Sequence, residues 1–226
     1  QSSKMPLSVR SESITPSKGL AVNFEPLSRE FYAPSAEQVA PDLLGHFLLR
    51  RDKSGLWLGG EIVETEAYIV GDPACHAYVR QSRRNASMFG PMGHAYMYRI
   101  YGAYFCFNAV CREAGIAEAV LVRAIEPRFG LETMRENRVV ARDVDLTNGP
   151  SKLCIAQKLD LSLDGTDICA PNSPLLIAQN PDRAEFLKSR APLVQTTRIG
   201  ISKAADWPFR WYLGGSKSVS VRAKAA

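Results

Sequence analysis

The sequence predicts an α+β fold built as one large domain. Strand-like runs outnumber helical ones, and they do not alternate with helices in the regular manner of a doubly wound sheet. A length of 226 residues with 46% hydrophobic content suits a single sizeable core. No apolar run reaches the roughly 18 residues of a membrane span, and no secretory leader is recognisable.

Residues 1–26 are Ser-rich and poor in pattern, so they read as a flexible N-terminal arm, with 1–4 preceding a native start at Met5; residues 27–226 form the domain. Ser35 is placed to cap a short helix reaching residue 44, its hydroxyl accepting an unpaired backbone N–H, and Gly45 ends that helix. Residues 46–51 and 57–68 are two strands joined at Lys53-Ser54-Gly55. The polar stretch 69–91 is a long loop of the kind that often carries function. Segment 95–111 contains Tyr96, Tyr98, Tyr101, Tyr104, Phe105 and Phe107, and strand-like patterns flank Tyr101-Gly102. That predicts a hairpin with this pair near its tip. Residues 119–125 form an apolar strand. Segments 130–138 and 151–159 are helical, the second introduced by Gly149-Pro150, and 194–201 and 209–213 are late strands.

Chemistry is suggested first by Trp-Leu-Gly-Gly-Glu-Ile-Val-Glu-Thr-Glu-Ala-Tyr at 57–68. Strict alternation would put Leu58, Ile62, Glu64, Glu66 and Tyr68 on one face. Carboxylates beside Leu58 and Ile62 are costly unless paired or used. Glu66, at the end of a rigid strand, is the leading candidate for a general base, with Glu64 its rival. Arg123 interrupts the apolar run Ala119-Val-Leu-Val-Arg-Ala-Ile125 and needs an anionic partner, for which Glu66 is a natural choice. Tyr101 at a hairpin tip suits a wedge that fills the gap left by a base withdrawn from a duplex; the bland alternative is that it folds back on its own sheet. Tyr68, His76 and Tyr98 could line a base pocket. Lys152, in the first turn of a helix, could help bind phosphate or act as a Schiff-base nucleophile.

The net charge of +5 favours an anionic partner. Arg80, Arg83 and Arg84 form one basic cluster, and Lys217, Arg222 and Lys224 another. The five cysteines contain no C-x-x-C pair, and their odd number fits reduced intracellular thiols. A zinc site from Cys75, His76, His94 and Cys106 matches no structural-zinc spacing.

Several segments together resemble the alkyladenine (3-methyladenine) DNA glycosylases, the monofunctional mammalian-type family also found in bacteria and plants. They are Ile62-Val-Glu-Thr-Glu-Ala-Tyr68, Met88-Phe89, Tyr98-x-x-Tyr-Gly-x-Tyr-x-x-x-Asn108, Leu121-Val-Arg-Ala-x-Glu-Pro127, Gly130-Leu-Glu-Thr-Met-Arg135, Gly149-Pro-Ser-Lys-Leu-Cys154 and Arg198-Ile-Gly200. They occur in the family's order and span 27–221. The resemblance implies one mixed domain around a curved antiparallel sheet with a protruding DNA-inserting β-hairpin. It implies Glu66 as general base, with Arg123 and the Ile199 backbone holding the attacking water. Tyr68, His76 and Tyr98 would receive the flipped base, Asn108 would exclude the exocyclic amino group of guanine, and Tyr101 would insert through the minor groove. Arg83, Arg84, Arg99 and Lys152 are candidates for the DNA backbone.

The chain departs from the vertebrate pattern in Ala103, where those members carry Met, in Arg99, which replaces an apolar residue, and in a shorter 138–148 loop. The expected partner is double-stranded DNA containing damaged purines. The expectation includes a monomer, no membrane, and neither metal nor organic cofactor. The expected location is cytoplasmic and nucleoid-associated in a bacterium, or nuclear in a eukaryote. The alternative from another class is a non-catalytic binder of damaged DNA.

Overall fold

A computed structural model describes residues 23–223. The chain enters through α1 (Ala36–Asp42), β1 (Phe47–Arg51) and the long strand β2 (Trp57–Tyr68). After the 69–91 loop come the hairpin strands β3 (Ala95–Ile100) and β4 (Tyr104–Cys111), then the second long strand β5 (Glu118–Phe129). The rest comprises α2 (Leu131–Asn137), α3 (Pro150–Gln157), β6 (Leu175–Ala178), α4 (Arg183–Ser189), β7 (Leu193–Thr196) and β8 (Arg210–Leu213).

The strands form a curled, wholly antiparallel sheet in the order β3-β4-β5-β2-β1-β6. One edge of β2 pairs along most of its length with β5. Its other edge is shared: β1 takes 57–61, and β8, which also carries β7, takes 64–66. That branching curls the sheet around its core. Val39 and Ala40 of α1, Leu43 just after it, and Leu153 and Cys154 of α3 pack there against Ile62, Val63, Val120 and Val122. This is the expected single α+β domain. Among the described residues no helix is long and apolar enough to cross a membrane.

Residues 1–22, most of the expected arm, lie outside the described residues. Its last part is tied to the sheet: Phe24 packs edge-on to Phe47, Trp57 and Phe129, and Glu25 O accepts from Gln179 N at 2.8 Å.

Ser35 stands at the N-cap of α1 as expected and forms a reciprocal capping box with Gln38, whose Oε1 reaches back to the Ser35 N–H (3.3 Å); Glu118 Oε2 also accepts from Ala36 N (2.9 Å). Two local expectations need correction. First, the strand expected over 194–201 stops at Thr196, because the Arg198 side chain turns inward to a buried carboxylate and takes the backbone off the sheet. Second, β6 and α4 were not anticipated; β6 is a four-residue apolar run and α4 buries none of its residues.

The middle of β2 approaches its neighbours too closely for a side chain. A Cβ on Gly60 would lie 1.7 Å from the Glu126 carbonyl oxygen, which is fixed backbone. Gly60→Ala is therefore expected to cost ~3 kcal/mol or more. Gly102→Ala at the hairpin tip meets open space but a φ of +76°, so its cost should be about 1 kcal/mol. Urea unfolding of the two variants checks the ordering, and equal midpoints would contradict it.

Candidate active site

The site begins with two offset irregularities in the β2–β5 ladder. Ile62 pairs with Ile125 and Glu64 with Ala124, which leaves Val63 over; Thr65 then pairs with Val122, which leaves Arg123 over. Such bulges re-aim side chains. Ile62 and Val63 consequently both join the main core, as does Ala67, while Leu58 belongs to a separate cluster. Glu64 and Glu66 thus do not share a simple face with Leu58 and Ile62. The irregular register resolves the conflict that strict alternation posed.

Arg123, at the second bulge, reaches both carboxylates. Its Nε donates to Glu64 Oε1 at 3.1 Å, and its Nη1 lies 3.2 Å from Glu66 Oε2. Arg210 Nε donates to the same Glu64 Oε1 at 2.6 Å. Glu64 is therefore the clamp that fixes Arg123. Glu66 is fully buried, and three groups from three parts of the chain meet it. Besides Arg123, the Tyr68 hydroxyl donates to Oε2 at 3.0 Å and the Ile199 N–H donates to Oε1 at 2.8 Å. Burial raises its pKa above the ordinary glutamate value; Arg123, the Ile199 N–H and Tyr68 oppose that rise, and Glu64 adds to it. The Ile199 amide is thus occupied by the carboxylate, and its carbonyl remains for any water.

Tyr68, which donates to Glu66, also lines a narrow slot of about 30 Å³ with Ala74, His76, Met88, Tyr96, Tyr98 and Asn108. The His76 ring meets Tyr98 edge-on at 4.5 Å between centroids, and its Nδ1 lies 2.9 Å from the Tyr96 hydroxyl. Although much of His76 faces solvent, desolvation among these rings lowers its pKa, with the Arg84 cation adding to the effect. A neutral His76 whose Nδ1 accepts from Tyr96 keeps a proton on Nε2 to donate. Asn108 Nδ2 donates to the Tyr96 carbonyl at 3.0 Å, which fixes that amide.

The hairpin tip bears Tyr101, 82% exposed and at φ +50°. An aromatic residue held in this region is strained, and such strain concentrates at functional positions. Arg83, Arg84 and Arg99 line an open groove with Tyr98, Tyr101 and Leu161. The groove joins the tip to the slot through the shared residue Tyr98. Lys152 is not part of it. Its Nζ donates to Asn148 Oδ1 at 2.8 Å. Among the described residues no three His, Cys, Asp or Glu side chains are placed to hold a metal ion.

Sequence reasoning missed Tyr96, Arg210, Asp72 and Arg198. Tyr96 looked like one aromatic among many, and its part emerges only from the His76 contact. Arg210 interrupts the otherwise apolar strand expected over 209–213, a signal like that at Arg123. Arg198 was noted only as part of the Arg198-Ile-Gly200 segment, and Asp72, 126 positions away, had no local signature that would pair the two.

Replacing Glu64 by Gln leaves two buried guanidinium groups short of a counter-charge. Glu64→Gln is expected to lower stability by ~3 kcal/mol or more, read by denaturant unfolding. An unchanged midpoint would show that the clamp contributes nothing.

The sequence profile of the methylpurine-DNA glycosylase family matches residues 30–217. A relative from Methanoculleus marisnigri is 45% identical over 196 residues, which is 87% of this chain and 99% of the relative. One from Carboxydothermus hydrogenoformans is 44% identical, covering 86% and 98%. One from Francisella tularensis is 42% identical, covering 80% and 91%. Each carries the provisional name 3-methyladenine DNA glycosylase. With this coverage and identity, the chain belongs to the methylpurine-DNA glycosylase family, hydrolases of N-glycosyl bonds.

Proposed function

We propose that this protein removes alkylated purines such as 3-methyladenine, and deaminated purines, from duplex DNA by flipping the nucleotide and hydrolysing its N-glycosidic bond with water. The observation that carries the reading is a fully buried carboxylate held by three donors, one of which, Tyr68, also lines an aromatic slot.

The damaged base enters between Tyr68, His76 and Tyr98, stacking on the tyrosines and accepting from His76 Nε2. Asn108, its amide fixed by Tyr96, meets the exocyclic amino group that distinguishes guanine and excludes it. Tyr101 fills the space the base vacates, and Arg83, Arg84 and Arg99 bind phosphates along the groove. Water attacks the sugar C1′ as its proton passes to Glu66. The electron pair of the N-glycosidic bond leaves with the base, and the carboxylate stabilises the oxocarbenium charge that develops. Burial serves this step, since a desolvated carboxylate is a stronger base than one in water. Arg123 keeps Glu66 in place without neutralising it. An alkylpurine that is already positively charged departs readily, whereas a neutral lesion must be protonated as it leaves. The product is an intact abasic site, and Lys152 forms no bond to the sugar.

Glu66→Gln should reduce base release by about 10²–10⁴-fold while lesion-containing duplex is still bound. Chromatography of the free base under single-turnover conditions reads the first effect and gel retardation the second. Normal release from this variant would end the assignment of Glu66. The same assay separates hydrolysis from simple retention of damaged DNA.

Tyr101→Ala should slow release from a paired lesion by about 5–150-fold, since stacking of an aromatic side chain on a base is worth roughly 1–3 kcal/mol. The loss should shrink for a lesion in a bulge or single strand, where less stacking must be broken. An equal loss on both substrates would place Tyr101 outside the flipping step.

A further inference from the structure

Arg198 and Asp72 take no part in the scheme above, yet their ion pair has both side chains fully buried. Arg198 Nη2 donates to Asp72 Oδ1 at 3.0 Å, Nη1 contacts Asp72 Oδ2, and Nη1 also donates to the Ala67 carbonyl at 3.0 Å. A buried pair is weak evidence of a stabilising device, because apolar residues of similar volume often serve stability better. Its position suggests another use. Ala67 follows Glu66 on β2, and Ile199 follows Arg198. Asp72 opens the loop that carries His76, where its Oδ1 also accepts from Ala74 N at 2.9 Å. The Arg198 guanidinium further lies 4.7 Å from the centroid of the Tyr68 ring, behind a wall of the slot.

We propose that Arg198 and Asp72 are positioning residues for hydrolysis, their buried pair holding the 198–199 backbone so that the Ile199 N–H stays aimed at Glu66 while Tyr68 is braced from behind. The inference rests on the reading of Glu66 as general base. Without this anchor, segment 197–200 has left β7 and is not held by a strand ladder. The guanidinium bonds three acceptors in two directions, a task suited to its planar fork and poorly matched by an ammonium group.

The consequence is a particular pH dependence. The groups facing Glu66 are Arg123 from β5, Cys106 from β4, Glu64 and Tyr68 from β2, and Arg198 with Ile199 from the segment after β7. Of these, the Ile199 N–H is one that lowers the Glu66 pKa. Losing its aim lets that pKa rise, so the acid limb of base release moves to higher pH. A hydrogen bond to a charged group corresponds to a displacement of about one pH unit or more.

The test is single-turnover base release between about pH 4 and 9 for the wild type, Arg198→Lys, Asp72→Asn and, as a control, Glu66→Gln. Arg198→Lys keeps a charge opposite Asp72 and removes the fork; Asp72→Asn keeps the shape and removes the charge. The expected result is an acid limb displaced upward by about one pH unit, with lesion-DNA affinity retained. A folded variant with its acid limb at the wild-type position overturns the positioning role. If Glu66→Gln releases base normally, the general-base reading fails instead, and the two failures are distinguishable. Should neither pair variant fold, amide hydrogen exchange in the wild type decides. Ile199 should be protected to the same degree as Thr65 and Glu66 of β2, and exchange at the rate of an exposed loop overturns the inference.

Discussion

Burying a carboxylate costs several kcal/mol unless donors replace the water it loses, and the centre of this protein is arranged around that cost at Glu66. Each donor arrives by a different route. Arg123 comes from an unpaired position in β5, Tyr68 from two residues along the same strand, and the Ile199 amide from a segment that has left the sheet. No single element contains the site, so it exists only when the curled sheet is closed. The compensation is also incomplete, since burial remains the largest influence on the Glu66 carboxyl. In the proposed reaction that shortfall is useful, because a fully compensated carboxylate would be a weak base.

The aromatic slot and the hairpin tip are linked just as directly. Tyr96 and Tyr98 lie two residues apart on β3, and Tyr101 follows where that strand turns. In the proposed reaction the side chain that holds the duplex open and those that receive the base therefore ride on one rigid strand. The outer edge of β3 is not left bare, since the Met97 N–H donates to Asp164 Oδ1 at 2.8 Å. Such a contact blunts an edge that could otherwise pair with another chain.

Legibility in the sequence followed the contrast between a residue and its neighbours. Arg123 stood out as a cation in an apolar run, and Glu66 as a carboxylate in a strand. The hairpin was legible from aromatic alternation around Tyr101-Gly102, and the long strands from their apolar content. The register was not legible. The strand at 57–68 was found, but no local feature marks Val63 or Arg123 as unpaired, because a bulge arises from the pairing of two strands. The Arg198–Asp72 pair was hidden for a similar reason: Arg198 was read within an expected strand and Asp72 within a polar loop, and only the fold joins them. β6 and α4 lacked the length or periodicity that single-sequence reasoning needs.

The central claim, that Glu66 is a desolvated base whose ionisation governs hydrolysis, is tested most directly by titrating it. Carboxyl-¹³C NMR of glutamate-labelled protein, assigned through the signal missing in Glu66→Gln, reports the Glu66 midpoint. Single-turnover base release over the same pH range reports the acid limb. The account predicts a Glu66 midpoint above the ordinary glutamate value and an acid limb that coincides with it, because base release fails as the carboxylate gains its proton. A Glu66 carboxyl that titrates at or below the ordinary value, or an acid limb with a midpoint unrelated to it, would contradict the account.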